Sequence, residues 1–435
     1  MASHSPEIES DSRRPSIEAM PELPSEPVTP RLAERRIALE PRKIALFAHR
    51  WVGLLLTVFL VVAGATGTLI AFFHELDGVF APDLHHLSEP VTSSDARDPL
   101  VLRRQLEDEL PEGARVSYVK LSRDEAEPLV FFVDTSALSK PLDNQWSVHP
   151  QTGDVLGSRD YGNLSQGSIN LMPFIYRLHY SLALGRVGVI LMGIVALLWT
   201  VDCFVGAYLT TPRRRRAEAR TSRSWFARWK PAWLIRTTQL FSFAFTWHRA
   251  SGLWLWGLLL IFAWSAVGLN LSEVYNPLMR ATLGYERAYE QLDVLDELRT
   301  RPQLDYIEAR AVGRDRLESL AAEGGFQVYR EHTLSYDSAR GVYRYRVYSS
   351  RDISSRYPNT TLFLDGDSGE LLQFETATGQ FAGNTVTTWL FALHFGAVGG
   401  RLYQSAVSVF GLVVCGLGVS GVWIWWRKRR KRRCA

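Results

Sequence analysis

Four stretches of this 435-residue chain are apolar for long enough to cross a lipid bilayer, and no other feature limits its fold as severely. They cover residues 44–73, 187–209, 241–271 and 402–426, each rich in Leu, Val, Ile, Phe, Trp and Gly. A helix rises about 1.5 Å per residue, so about 20 such residues cross a hydrocarbon core about 30 Å thick. Inside that core each backbone N–H and C=O must be satisfied within its own segment, which makes every run a helix. The mean hydropathy of the whole chain is close to zero only because charged, strand-rich stretches separate the runs. Many of the 14 Trp residues sit near the ends of the runs, where an amphipathic indole suits the headgroup level.

Positive charge orients the runs. Nine Lys or Arg lie between the second and third: Arg213–Arg216, Arg220, Arg223, Arg228, Lys230 and Arg236, opposed only by Glu218. Arg31, Arg35, Arg36, Arg42 and Lys43 precede the first run, and RKRRKRR follows Trp426. The loop at 75–170 instead carries 17 acidic and 8 basic residues. These patterns predict both termini in the cytoplasm of a bacterium, four passes through its inner membrane, and periplasmic segments at 75–170 and 272–384. Beside membrane spans the basic clusters are explained as topology signals and contacts with anionic lipid, not as a nucleic-acid surface. Residues 1–30 are rich in Pro, Ser and Glu with no apolar signal core, so a disordered tail is expected there. The first run is too long for a signal peptide and has no small-residue cleavage site behind it; it is expected to stay as an anchor. The cysteines, Cys203, Cys415 and Cys434, have no spacing that suggests a disulfide framework, a zinc site or an iron–sulfur cluster.

The chain repeats itself. The first span begins His49-Arg50-Trp51-Val52-Gly53-Leu54 and the third begins His248-Arg249-Ala250-Ser251-Gly252-Leu253. Leu178-His179-Tyr180, then Gly185-Arg186, leads into the second span; Leu393-His394-Phe395, then Gly400-Arg401, leads into the fourth at an offset of 215 residues. The loops match as well, with Thr152-Gly153 in one aligned to Ser368-Gly369 in the other. The expected layout is a four-helix transmembrane bundle from a duplicated unit, with two small α+β periplasmic domains. Its parts are a tail (1–40), first span (41–74), outer domain (75–170), lead-in and second span (171–210), basic loop (211–240), third span (241–271), second outer domain (272–384), lead-in and fourth span (385–426) and basic tail (427–435). In each outer domain a helix (99–110; 314–322) is followed by strands at 115–121, 129–134 and 145–156, or at 327–336, 342–349 and 360–374. Hairpin turns are expected at the Thr-Gly and Ser-Gly pairs.

Both units start and end on the same side, so they are related by a pseudo-twofold axis along the membrane normal. Equivalent residues then meet across the axis at one depth: His49 with His248 near the cytoplasmic surface, His179 with His394 near the periplasmic one. Neutral imidazole is a metal ligand, and one from each side of a porphyrin keeps its iron six-coordinate, which suits electron transfer. The four histidines are therefore expected to hold heme iron. Gly53 and Gly252, four residues after their histidines and on the same helix face, leave room for a flat ring. Arg50 and Arg249 are placed to pair with propionates, and Arg186 and Arg401 follow their histidines by seven residues. His74 at the exit of the first span is a weaker iron-ligand candidate. His85, His86, His149 and His332 read as surface residues. Gly416-Leu-Gly418-Val-Ser-Gly421 matches a dinucleotide fingerprint but lies inside an apolar run, where small-residue helix packing accounts for it. Asp365-Gly-Asp367-Ser-Gly369-Glu370 reads as a hairpin turn rather than a calcium loop.

The HRWxGL start of the first span, the Phe73-His74-Glu75-Leu76-Asp77 exit, the LHxxLxxG lead-in and the Thr-Gly turn resemble the PepSY-associated transmembrane family over about residues 40–427. The third span departs from that pattern, with Ala250 and Ser251 in place of Trp-x and Ala263 and Ala266 in place of Gly64-like and Gly67-like positions. The family includes FoxB-like ferric-siderophore reductases of the bacterial inner membrane. The resemblance therefore implies heme b, two of them, passing electrons from a cytoplasmic or quinol donor to a periplasmic ferric siderophore or other ferric chelate. A non-enzymatic reading, PepSY-like domains that bind or regulate a protease on a membrane anchor, predicts no pigment. A transporter of the chelate is disfavoured, because no span carries a broken-helix signature.

Overall fold

A computed structural model describes residues 40–139, 142–212 and 224–433. The tail before Glu40, the cluster Arg213–Arg216 with Arg220 and Arg223, and Cys434 lie outside the described residues. The chain opens with α1 (Pro41–Ile70), α2 (Phe73–Phe80), α3 (Pro82–His85) and α4 (Pro99–Glu109). Strands β1 (Arg115–Lys120), β2 (Leu129–Asp134), β3 (Gln145–Val148) and β4 (Val155–Arg159) follow, then α5 (Leu171–Ser181) and α6 (Gly185–Thr210). The second half runs α7 (Trp225–Trp229), α8 (Leu240–Trp254), α9 (Trp256–Asn270), α10 (Ser272–Leu283) and α11 (Tyr306–Gly324). It continues with β5 (Val328–Asp337), β6 (Val342–Ser349), β7 (Thr360–Asp365), β8 (Leu371–Glu375), α12 (Ala382–His394) and α13 (Gly400–Arg433).

Among the described residues α1, α6 and α13 are each long and apolar enough to cross a membrane. The third run is not the unbroken helix that its composition suggests. It is α8 and α9, bent by 69° at Leu255, and it supplies a fourth span if the pair is one. Sharp bends arise at Gly/Ser pairs and where a Ser hydroxyl bonds back into the helix. Both causes meet here: Ser251 precedes Gly252, and its Oγ donates to the Trp247 carbonyl at 2.6 Å. The indoles flanking the bend are pinned to different elements, Trp254 Nε1 to the Trp233 carbonyl at 3.1 Å and Trp256 Nε1 to the Cys203 carbonyl at 3.0 Å.

Helix contacts follow the repeat. At the crossing of α1 and α13 the backbones touch: a Cβ on Gly64 would stand 2.6 Å from the Gly411 carbonyl oxygen, and one on Gly411 2.6 Å from that of Gly64. Thr68 Oγ1 and Ser408 Oγ each donate to the other's carbonyl at 3.0 Å. Lipid offers no hydrophobic drive between helices, so such close approach of small residues carries the association. The equivalent positions on α9 and α6 are Ala263 and Ala196, both buried. Gly416, Gly418 and Gly421 of α13 each meet a neighbouring side chain, those of Trp247, Thr57 and His248 respectively, as helix packing requires of that stripe.

The strands form one antiparallel sheet of eight, in the order β4-β3-β2-β1-β5-β6-β7-β8. Two separate outer sheets were expected from the repeat. They are joined through β1 and β5, in the register Tyr118↔Ser335, Val119↔Leu334 and Lys120↔Thr333. Each half alone would leave a row of unpaired backbone groups on an edge strand, and joining the two edges satisfies both. The stretches 145–156 and 360–374, read as single strands, are hairpins, turning where Gly153 and Gly369 take positive φ of 87° and 70°. α11 is longer than the helix expected at 314–322, because an Asp305/Glu308 capping box starts it a few residues earlier. One core holds the halves together: Leu102 and Leu106 of α4, Ala309 and Leu317 of α11, and Val119, Phe131, Leu334 and Leu362 of the sheet.

A buried ion pair links the first span's exit to that sheet. Asp77 of α2 takes two hydrogen bonds from Arg159 of β4, at 3.0 and 2.6 Å, with both side chains fully buried. His85 Nε2 adds a third at 2.8 Å, so this histidine is a structural partner and not the surface residue it was taken for.

Candidate functional site

The two lead-in helices end before the spans begin. Leu182 and Ala183 (φ 52° and 55°) and Gly185 break the chain after α5; Gly396, Gly399 and Gly400 break it after α12. His179 therefore sits in the last turn of α5 and His394 ends α12, both against the sheet-side ends of the spans. His49 lies near the start of α1 and His248 in α8. The rings of His49 and His248 stand 6.3 Å apart at 63°, and those of His179 and His394 6.5 Å apart at 78°. His179 packs on α1 at Thr66, 17 residues beyond His49, or about 25 Å along the helix.

Local hydrogen bonding fixes the tautomer of all four rings. Thr66 Oγ1 donates to the Val62 carbonyl at 2.6 Å, so towards His179 Nδ1 at 3.0 Å it accepts. Ser265 Oγ donates to the Ile261 carbonyl at 2.7 Å and accepts from His394 Nδ1 at 2.6 Å. His248 Nδ1 donates to the Leu417 carbonyl at 3.1 Å and to Ser420 Oγ at 3.0 Å. His49 Nδ1 faces both oxygens of Asp202, at 2.9 and 3.1 Å. Each ring thus donates from Nδ1, and in its neutral form would keep the lone pair on Nε2. No Nε2 among the four has a hydrogen-bond partner among the described residues. This is the arrangement of metal-ligating imidazoles, whose second nitrogen is held by the protein. Among the described residues no three His, Cys, Asp or Glu are grouped to hold a bare metal ion.

Glycines shape the surroundings. A Cβ at Gly206 would come within 3.4 Å of His49 Cε1, one at Gly421 within 3.4 Å of His248 Cε1, and one at Gly67 within 3.2 Å of His179 Cε1. Gly53 and Gly252 differ, since a Cβ there would meet nothing within 4 Å. Both line a cavity of about 400 Å³ between the spans, within the range of small-molecule sites. His49, Arg50, His248 and Arg249 line the same cavity, so all six residues expected at the inner pair are brought together. Arg249 is braced by donating to the Pro231 and Ala232 carbonyls, and Arg50 lies over the Trp51 ring. At the other pair Phe262 stacks on His394, with centroids 4.8 Å apart and planes at 29°.

Several expectations are not met. Arg186 and Arg401 are exposed, because the breaks after α5 and α12 reset the helical phase that would have carried them back towards the histidines. His74 is exposed beyond the end of α1, with its Nε2 held by Glu127 at 2.9 Å, and among the described residues it has no histidine partner from the other half of the repeat. That hydrogen bond, with Lys120 beside it, keeps the Glu127 carboxyl down at about 2. His332 is half-buried in β5, and burial lowers its imidazole to about 4. Asp202, Thr66, Ser265 and Gly206 escaped the sequence reading, and Ser420 and Gly421 were read only as part of a helix-packing stripe. Thr66 and Ser265 share the offset of 199 that relates His49 to His248, and Gly206 and Gly421 share the offset of 215, so the repeat contained the signal.

Membrane-crossing helices that bring histidines together in pairs beneath an antiparallel sheet define an integral membrane protein built on a duplicated unit. The model of the PepSY-associated TM region matches residues 46–428, and the chain belongs to that family. No curated protein matches it.

Proposed function

We propose that this protein carries electrons singly across the bacterial inner membrane by holding heme b at each histidine pair, and that it reduces a ferric chelate on the side of the sheet. Bound there, porphyrin iron supplies one-electron Fe(III)/Fe(II) chemistry. The observation that carries the reading is the pairing of four Nδ1-protonated imidazoles, one from each half of the repeat at each level. His49 with His248, and His179 with His394, would each hold an iron porphyrin between their two rings. Two nitrogens and no third protein ligand suit a macrocycle that brings four of its own.

In this reading His49 and His248 take the cytoplasmic level and His179 and His394 the periplasmic one. Gly53 and Gly252 keep a slot open, and Arg50 and Arg249 offer guanidinium groups to the carboxylates of the macrocycle. The donor, a quinol or a cytoplasmic reductant, gives up one electron per passage, and each ferric ion takes one. Ferrous iron is held less firmly by hard oxygen ligands, so reduction frees the metal from its chelate. A reduced-minus-oxidised absorption spectrum of the protein in detergent tests this. Two hemes per chain are expected, and His248→Ala removes about half of the signal. A colourless preparation from heme-replete cells rejects the proposal, and an unaltered spectrum in H248A rejects that ligand.

A further inference from the structure

The four histidines are alike in ring placement but not in what holds their Nδ1. Three give the proton to neutral groups: Thr66 Oγ1, Ser265 Oγ, and the Leu417 carbonyl with Ser420 Oγ. His49 alone gives it to a carboxylate, that of Asp202. Asp202 is the only acidic residue of α6, and its side chain is 12% exposed. Its counterpart in the repeat is Leu417, so the charge was placed in one copy only. Among the described residues His49 is its only hydrogen-bond partner. An ionisable group inside a span is costly and marks function. Stabilising the bundle does not explain Asp202, since Leu417 fills the same place in the other half.

We infer that Asp202 is a positioning residue that makes the His49/His248 site the lower-potential of the two and so sets the direction of electron flow, towards His179/His394 and the sheet. The inference rests on the heme reading above. A carboxylate that accepts the Nδ1 proton raises the basicity of Nε2. A more basic ligand, with a negative charge held close by, favours ferric over ferrous iron and lowers the potential. The hydroxyls at the other pair carry no such charge. An electron placed at the inner site then runs downhill to the outer one, and return is disfavoured without any moving part.

The test is an optical redox titration of the full chain in detergent. Two steps are expected. H394A, which keeps the inner site, retains the lower step, and H248A retains the upper. Asp202→Asn keeps the size and the hydrogen bond but removes the charge; it moves the lower step up towards the upper and leaves the upper in place. Asp202→Glu, which restores the charge, returns the lower step towards its wild-type position. If D202N leaves the lower step unmoved, or if H394A retains the upper step, the inference is overturned while the heme reading stands. The H394A result decides the matter even if D202N fails to assemble. A colourless wild-type chain overturns both.

Discussion

At the scale of single residues the slot between the spans depends on what is missing from two of them. Gly53 and Gly252 face open space, unlike Gly64 or Gly411, where a side chain would strike backbone. A larger residue at Gly252 therefore folds without a clash and fills the cavity instead. Gly252→Leu should remove the chromophore held by His49 and His248, read as loss of about half of the heme absorbance, while the His179/His394 signal and the amount of folded protein stay the same. Equal loss of both signals would mean that the cavity is not the inner site. The histidines, glycines and arginines of this pair were legible in the sequence because the repeat prints each of them twice. Thr66 and Ser265 were printed twice as well, but a hydroxyl in an apolar helix commonly bonds its own backbone and draws no notice. Asp202 has Leu417 and no second acid as its counterpart, so comparison of the halves could not find it; its signal was a lone acid inside a span.

The elements show where local pattern stops being informative. Alternation located the strands, and the Thr-Gly and Ser-Gly pairs located the turns, but nothing in a strand's own sequence says that β1 meets β5 about 215 residues away. The 69° bend of the third span was equally hidden, since Ser and Gly are ordinary residues in an apolar helix and it took two indoles bonded to different elements to fix the angle. The seam between the halves has a property of its own. His332 lies beside it on β5, where its carbonyl accepts from Leu121 N at 2.8 Å. Its Nδ1 is buried with no partner among the described residues. Burial, and the cations Lys120, Arg346 and Arg330, lower its imidazole from 6.5 to about 4. The folded chain is therefore neutral there while the unfolded chain takes up a proton below pH 6.5, so acid favours unfolding. This cost is absent above pH 6.5 and grows as the pH falls towards 4. Glu127 and Glu331, both lowered from 4.5 to about 2, lose their contribution only below 4.5. Thermal unfolding followed between pH 6.5 and 4.5 should show a declining midpoint in the wild type. His332→Phe, which keeps the edge contact with Tyr348, should flatten the decline, and an equal slope in both would place the acid sensitivity elsewhere.

For the whole molecule the duplication is more than a record of descent, because neither half contains a complete site. Each histidine pair takes one ring from residues before the basic loop and one from residues after it. The α1–α13 contact joins the halves through Gly64 and Gly411, the seam joins them through β1 and β5, and α6 packs on α9. Three interfaces of different chemistry therefore specify one pairing, while the covalent link between the halves runs through the basic loop that includes residues 213–223. A chain cut in that loop and expressed as two pieces, 1–217 and 218–435, should reassemble in the membrane. The pieces should copurify and carry the full two-heme spectrum, whereas the first piece alone should lack it. That piece could put His49 only against a second His49, bringing two Asp202 carboxylates into one apolar core at a desolvation cost that nothing there offsets. The decisive measurement is heme per chain in the first piece expressed alone and in the coexpressed pair. A coloured first piece would mean that one half suffices to build a site, and the pairing of unlike halves would lose its functional meaning.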